Sequence, residues 1–315
     1  MSDTRSAHPR VGASPFSIGD PGRAGLELPA GRPGALVGQS DIEVSAATLP
    51  GVLIRAATIR GLLHRAGDEP RQDAFAIARH ETGAGAWAVA VVCDGVGALG
   101  RSDEAATLAG RRLAELGAAG VPWPEAFAVV NEELHAYAEQ VRAAGGGDAS
   151  RDGMATTAVA LSVHRDGPGW AGEVAWVGDS SLWHLDAAGR WTDLTDTREP
   201  GQEGDEDEGP FHSTKVRPMP SSGGSCATRA VRVSGGALFV MSDGIANPLD
   251  WCEDVRETLA KWWARPPDPF TFAAQAAFAR KTHVDDRTVV ALWPDDDDDQ
   301  GDDEGHAGGG PETAG

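Results

Sequence analysis

The sequence predicts one α+β domain built on a large, mostly antiparallel sheet. Short apolar and β-branched runs precede and follow a pair of amphipathic helices, instead of alternating with helices one by one. The apolar fraction of 41% suffices for a real core. The 315 residues fit one large domain or two small ones, and no internal repeat divides them.

The elements follow in chain order. Residues 1–50 are rich in Gly, Pro and Ala and lack periodicity, so a flexible leader is expected there. Order is expected from Gly51, with a first strand over Val52 to Ile59. Ala74, Ala76 and Ala78 alternate with Phe75 and Ile77, which predicts a strand over Asp73 to Arg79. Trp87 to Cys93 is a continuous apolar run, hence a buried strand, and it ends abruptly at Asp94-Gly95. Ser102 or Asp103 can cap a helix running to about Gly117, with Leu108, Leu113 and Leu116 facing inward. Pro124 suits the first turn of a second helix that buries Phe127, Val130, Leu134, Tyr137 and Val141 and stops at Gly145. Short strands are predicted at Thr156 to Val163, Glu173 to Val177, Ser181 to Leu185, Ala230 to Val233 and Leu238 to Met241. Asp186 to Gly189 forms a hairpin turn before Trp191. Thr197 to Ser225 is polar, Gly/Pro-rich and too long for an ordinary connection, so a mobile flap is expected. Two helices, about Trp251 to Trp263 and Pro269 to Lys281, precede a last strand at Thr288 to Trp293. The chain is therefore expected to divide into a leader (1–50), a domain (51–294) and an acidic tail (295–315).

Charge narrows the function. With 27 basic and 48 acidic residues the net charge is −21, which argues against nucleic acid or an anionic membrane surface as main partner. Glu203 to Glu208 holds five acids and Asp295 to Gly315 nine, runs expected to be solvated and self-repelling. The longest apolar run, Ala86 to Cys93, falls far short of the roughly 20 residues of a membrane span, and no secretory h-region is visible. Cys93, Cys226 and Cys252 form no CxxC pair, so neither a zinc site nor a disulfide framework is expected and a cytoplasmic location is. Trp176, Trp183 and Trp191 occupy strand positions and are expected to pack in the core or a hairpin.

The aspartates carry the chemistry. Asp94 and Asp243 stand at or just beyond the ends of apolar strands, and each is followed by glycine. Asp285 stands just before the last predicted strand, and Asp73 opens an early one. A strand end holds a carboxylate rigidly, while glycine lets the backbone turn sharply or approach a ligand. Several carboxylates gathered at one sheet end repel one another unless a cation sits among them, and all-oxygen ligands suit Mg²⁺ or Mn²⁺. Gly95-Val-Gly97-Ala-Leu-Gly100 also spells GxGxxG after a strand, but the helix predicted from Pro122 to Arg142 occupies the place of the second strand that a dinucleotide fold requires.

Gln72-Asp73-Ala-Phe75, Asp94-Gly95-Val96-Gly97, Gly153-Met-Ala-Thr156-Thr157, Gly178-Asp179-Ser180, Ser242-Asp243-Gly244 and Asp285-Asp286-Arg-Thr288 occur in that order. In this the chain resembles the metal-dependent protein phosphatases, the PPM or protein phosphatase type 2C family, over about Gly51 to Trp293. His64 to Phe75, with Gly97 to Asp103, resembles a bacterial branch. The resemblance implies a β-sandwich of two mostly antiparallel sheets flanked by helices, in α-β-β-α layers, with two Mn²⁺ or Mg²⁺ ions, or three, at one edge. It implies that Asp94 bridges two metals, that the Gly95 carbonyl helps hold one, and that Asp243 and Asp285 complete the other. Asp73 would orient a metal-bound water and Asp152 would hold a weaker third metal, while Asp179 lies in a mainly structural motif. His64 belongs to the branch-like motif and is a catalytic candidate. Gln72 stands where many members have Glu, and Val96 where some have His. The usual phosphate-binding arginine position is Asp68, so His64, Arg65 or Arg71 would substitute. The implied reaction is hydrolysis of phosphoserine or phosphothreonine in proteins, with a Ser/Thr kinase or its substrates as partners of a monomeric enzyme. The alternative is a catalytically silent, phosphatase-like binding module.

Overall fold

The computed structural model describes residues 16–22, 40–83, 85–97, 99–145, 152–196 and 218–295. Strands β1 (Ile42–Leu49) and β2 (Val52–Ile59) lead into a short helix α1 (Leu62–Gly67), then β3 (Ala74–Thr82) and β4 (Gly85–Gly95). Helices α2 (Ser102–Ala118) and α3 (Trp123–Gly145) follow, then β5 (Thr156–Asp166), β6 (Gly169–Val177), β7 (Ser181–Leu185) and β8 (Trp191–Asp193). The chain closes with β9 (Ala227–Val233), β10 (Ala237–Met241), α4 (Asp243–Trp251), α5 (Glu253–Trp263), α6 (Pro269–Ala276) and β11 (Arg287–Pro294).

Six strands form one sheet in the order β1-β2-β11-β10-β7-β8, and five form a second in the order β3-β4-β5-β6-β9. Every named pairing is antiparallel. Strand alternation sends Ile54, Leu182, Val240 and Val290 of the first sheet against Val92, Leu161, Trp170 and Val174 of the second, giving a dry layer between them. On the outer face of the five-stranded sheet, α2 and α3 bury Leu113, Phe127, Val130 and Leu134 against Val91 and Cys93. On the opposite face, α4 to α6 bury Leu249, Leu259, Trp263 and Phe272 against Phe239 and Met241. The result is the expected α-β-β-α sandwich. Most of the tryptophans belong to this packing: Trp263 stacks on Phe239 at 5.4 Å, and Trp191 and Trp293 meet Phe239 edge-on. Among the described residues no helix is long and apolar enough to cross a membrane.

The leader expected over 1–50 needs correction. Ile42–Leu49 is a strand that pairs along its whole length with β2, from Ile42 opposite Ile59 to Leu49 opposite Val52. Further upstream, Ile18 is buried and donates its N–H to the Ala279 carbonyl, the Ala279 N–H donates to the Phe16 carbonyl, and the Phe16 ring packs against Trp262. The remaining leader residues, 1–15 and 23–39, lie outside the described residues, as do 197–217 of the expected flap and 296–315 of the tail. The flap's last part is docked: Met219 is buried and exchanges two main-chain hydrogen bonds with Thr156. The Asn131 amide then clasps both main-chain groups of Ser221, at 2.8 and 3.0 Å.

Three smaller expectations also shift. Helix α4 was not anticipated, and α6 ends at Ala276, before Lys281. Neither Ser102 nor Asp103 caps α2: the capping position is Arg101, and the Ser102 hydroxyl donates to the Val96 carbonyl at 2.7 Å. Because β1 contributes a full edge ladder, a chain beginning at Gly51 is expected to melt at least ~5 °C below the full chain. An unchanged Tm in a thermal scan would show that β1 and the Phe16–Ile18 contact contribute nothing.

Candidate metal centre

Strand register brings the predicted aspartates to one end of the sandwich. In the six-stranded sheet, Met241 lies opposite Val289 and Arg287 opposite Ile59, so the end of β10, the start of β11 and the end of β2 coincide. In the five-stranded sheet, Ala74 lies opposite Cys93 and Gly95 opposite Thr156. Asp73, Asp94, Asp243 and Asp285 stand at these ends. The glycines beside two of them are required by close approach. A Cβ on Gly95 would lie 2.8 Å from the Ser102 carbonyl oxygen and 2.9 Å from that of Gln72. One on Gly244 would lie 1.8 Å from the Asp286 carbonyl oxygen.

The electrostatics show how tightly these groups crowd. Asp94 is pushed well above the usual carboxylate range by burial first, then by Asp73, Asp243, Asp285 and Asp179. Burial, Asp179 and Asp285 push Asp243 up to about 7, against a hydrogen bond with Asp94. Asp73 is 3% exposed; burial and then Asp286 raise it, although the Ser242 hydroxyl donates to its Oδ2 at 2.6 Å. Asp179 and Asp285 present an open face to solvent, yet they too are raised, by surrounding protein atoms first and then by neighbouring carboxylates. Asp179, which the sequence left outside the ligand set, thus stands within the field of Asp94 and Asp243.

Two buried oxygens lack a hydrogen-bond partner among the described residues: Oε1 of Gln72, next to Asp73, and Oδ2 of Asp152. Both side chains are 6% exposed. An orphaned buried acceptor is costly unless a cation or water meets it. Together with an all-oxygen set of repelling carboxylates, these orphans fit a hard divalent cation.

His64 sits on α1, with Nδ1 2.8 Å from Asp286 and Nε2 3.8 Å from Glu69. Burial alone would depress its imidazole; Asp286, then Asp285 and Glu69, outweigh that and raise it to about 9. Ligand atoms of His64, Asp285 and Asp286 converge within 4.8 Å of one another. The other two cationic candidates are engaged elsewhere. The Arg71 guanidinium donates to the Asp73 carbonyl and pairs with Glu43 at 3.0 Å. Arg65 has its Nε 3.7 Å from Asp41. Asp68, at the expected arginine position, is the left-handed C-cap of α1, with φ 59°. Asp286 is the site residue that motif reading left without a role. The GxGxxG reading fails in the structure, because β4 is antiparallel to both neighbours.

The model of a family described as protein phosphatase 2C matches residues 60–277, more than half of the chain. A crystal structure of a bacterial serine phosphatase is 18% identical, with a TM-score of 0.56 over 76% of this chain and 96% of that one. The serine/threonine phosphatase Stp1 from Staphylococcus aureus is also 18% identical, with a TM-score of 0.56 over 78% of this chain and 95% of that one. The catalytic domain of the serine threonine protein phosphatase PstP, in complex with two manganese ions, is 21% identical, with a TM-score of 0.52 over 76% of this chain and 97% of that one. These likenesses carry the fold. No curated protein sequence matches the chain.

Proposed function

Because the chain belongs to the protein phosphatase 2C family, we propose that the acidic end of its sandwich is the catalytic centre of a metal-dependent protein serine/threonine phosphatase. The observation that carries this reading is the convergence of Asp73, Asp94, Asp243 and Asp285, mutually repelling, with the unpartnered oxygen of Gln72 next to Asp73 in the chain. Bound Mn²⁺ or Mg²⁺ supplies a nucleophilic water at neutral pH and charge that neutralises the phosphoryl oxygens.

The residues divide that work. Asp94, the Gly95 carbonyl, Asp243 and Asp285 would hold the ions. Asp152, with a buried and unpartnered oxygen, would hold a third. Asp73 is fixed by Ser242 and would orient the attacking water. His64 takes the place of the phosphate-binding arginine, since Arg71 and Arg65 are turned toward Glu43 and Asp41. The substrates are phosphorylated proteins; a Ser/Thr kinase or its own substrates are the partners we infer for a monomeric, cytoplasmic enzyme. The segment over 197–225 is proposed to read the protein substrate.

The purified full chain is expected to hydrolyse an aryl phosphate and a phosphothreonine peptide with Mn²⁺ or Mg²⁺, and to fall to near zero in EDTA. Hydrolysis of neither substrate under any divalent metal would favour a silent binding module. Equal turnover in EDTA would remove the aspartate cluster from the mechanism.

A further inference from the structure

We propose that Asp286 is a positioning residue of this centre, a buried hub that fixes the segment carrying His64, Gln72 and Asp73 against the strand end carrying Asp285. The inference rests on the phosphatase reading of the site. Asp286 is 2% exposed. Its Oδ1 accepts the Gly61 N–H at 2.6 Å and lies 2.8 Å from Nδ1 of His64. Its Oδ2 accepts the Gln72 N–H at 2.5 Å. The Asp286 N–H in turn donates to Oδ1 of Asp285 at 2.8 Å. Both Asp286 oxygens are therefore engaged by protein donors, whereas the buried oxygens of Asp152 and Gln72 are not.

The placement matters because the site is assembled from both sheets. Asp73 precedes β3 of the five-stranded sheet, and Asp285 leads into β11 of the six-stranded one. Between their facing surfaces the two sheets meet through apolar side chains. At this end Asp286 links them through directional bonds, one of them to the residue next to Asp73. The fit is close on the other side as well. The Leu63 N–H donates to the Val284 carbonyl at 3.0 Å, and a Cβ on Gly61 would lie 2.3 Å from the Asp285 carbonyl carbon. Asp286 thus sets where Gln72, Asp73 and His64 stand relative to Asp285.

The test is Asp286→Asn in the full chain, which keeps the shape but can offer only one acceptor oxygen. Its Mn²⁺ affinity, read by titration of the folded metal-free protein, is expected to fall about tenfold or more. At saturating Mn²⁺, kcat on an aryl phosphate is expected to fall about tenfold while KM stays within about threefold. Amide exchange at Gly61 and Gln72 in the metal-free protein is expected to speed by about tenfold. Wild-type Mn²⁺ affinity and kcat, with only a lowered Tm, would overturn the proposal and leave Asp286 a structural tie. Should the variant fail to fold, the wild type decides: Mn²⁺ is expected to slow exchange at Gly61 and Gln72 more than in α5, and no such slowing overturns the proposal. If the wild type binds Mn²⁺ yet hydrolyses nothing, the phosphatase reading fails, and the affinity and exchange results still judge the hub.

Discussion

Asp94→Asn and Asp243→Asn are each expected to lower kcat on an aryl phosphate by on the order of 10²-fold or more, at saturating Mn²⁺. Asn keeps the volume and one acceptor oxygen, so the loss isolates charge. Each tenfold loss corresponds to about 1.4 kcal/mol of transition-state stabilisation, so the expected effect is roughly 3 kcal/mol or more. That is in the range expected when a metal loses part of its anionic cage. Asp94 should be the more sensitive, because every other central carboxylate except Asp152 lies within its field and it is hydrogen-bonded to Asp243. Asp152→Asn is expected to be milder toward the core pair. Circular dichroism should show all three variants folded. An Asp94→Asn enzyme within fivefold of wild type would place the chemistry elsewhere.

The central aspartates were legible in the sequence because a carboxylate at the end of an apolar run is a local pattern. The antiparallel register then does the gathering. Asp286 was not legible as a hub, since its partners Gly61 and Gln72 lie 225 and 214 residues away in the chain. Nor was the preference proposed above for His64 over Arg65 and Arg71 legible. It depends on Asp41 and Glu43, which capture the two arginines and lie in the stretch expected to be leader. The strand in that stretch is hidden from the sequence for a physical reason. Strand β1 has no fully buried residue in its pattern; it is an edge strand held by its ladder with β2 through the turn at Pro50-Gly51, where Gly51 has φ 71°. Helix α4 was hidden by Pro248 in its interior, and α1 by its length of six residues between glycines.

Without metal, the protein is expected to be more stable at pH 5 than at pH 8, and Mn²⁺ is expected to close most of that gap. The sign follows from the direction of the shifts. Asp73, Asp94 and Asp243 are raised in the folded chain, by burial first and by neighbouring carboxylates after it, while Asp179 and Asp285, raised in the same direction, face solvent and contribute less. The unfolded chain gives up these protons near pH 4, while the folded chain still holds them. Folded protein therefore binds more protons above that pH, and stability falls as pH rises, for Asp243 until about 7. His64 acts in the same direction: it is raised to about 9, so its contribution is complete below about 6.5 and is lost through 9. A divalent cation replaces the protons as counter-charge and removes the dependence. Melts in EDTA at pH 5 and pH 8 are expected to differ by at least ~5 °C. The net charge of −21 would also favour low pH, so the discriminating control is Asp94→Asn. At pH 8 in EDTA that variant should melt above wild type, because one crowded carboxylate is gone. In Mn²⁺ it should gain less than wild type does. A variant that melts lower than wild type in EDTA at pH 8 would mean the carboxylates are not straining the metal-free fold, and the repulsion assigned to this end of the sandwich would be wrong.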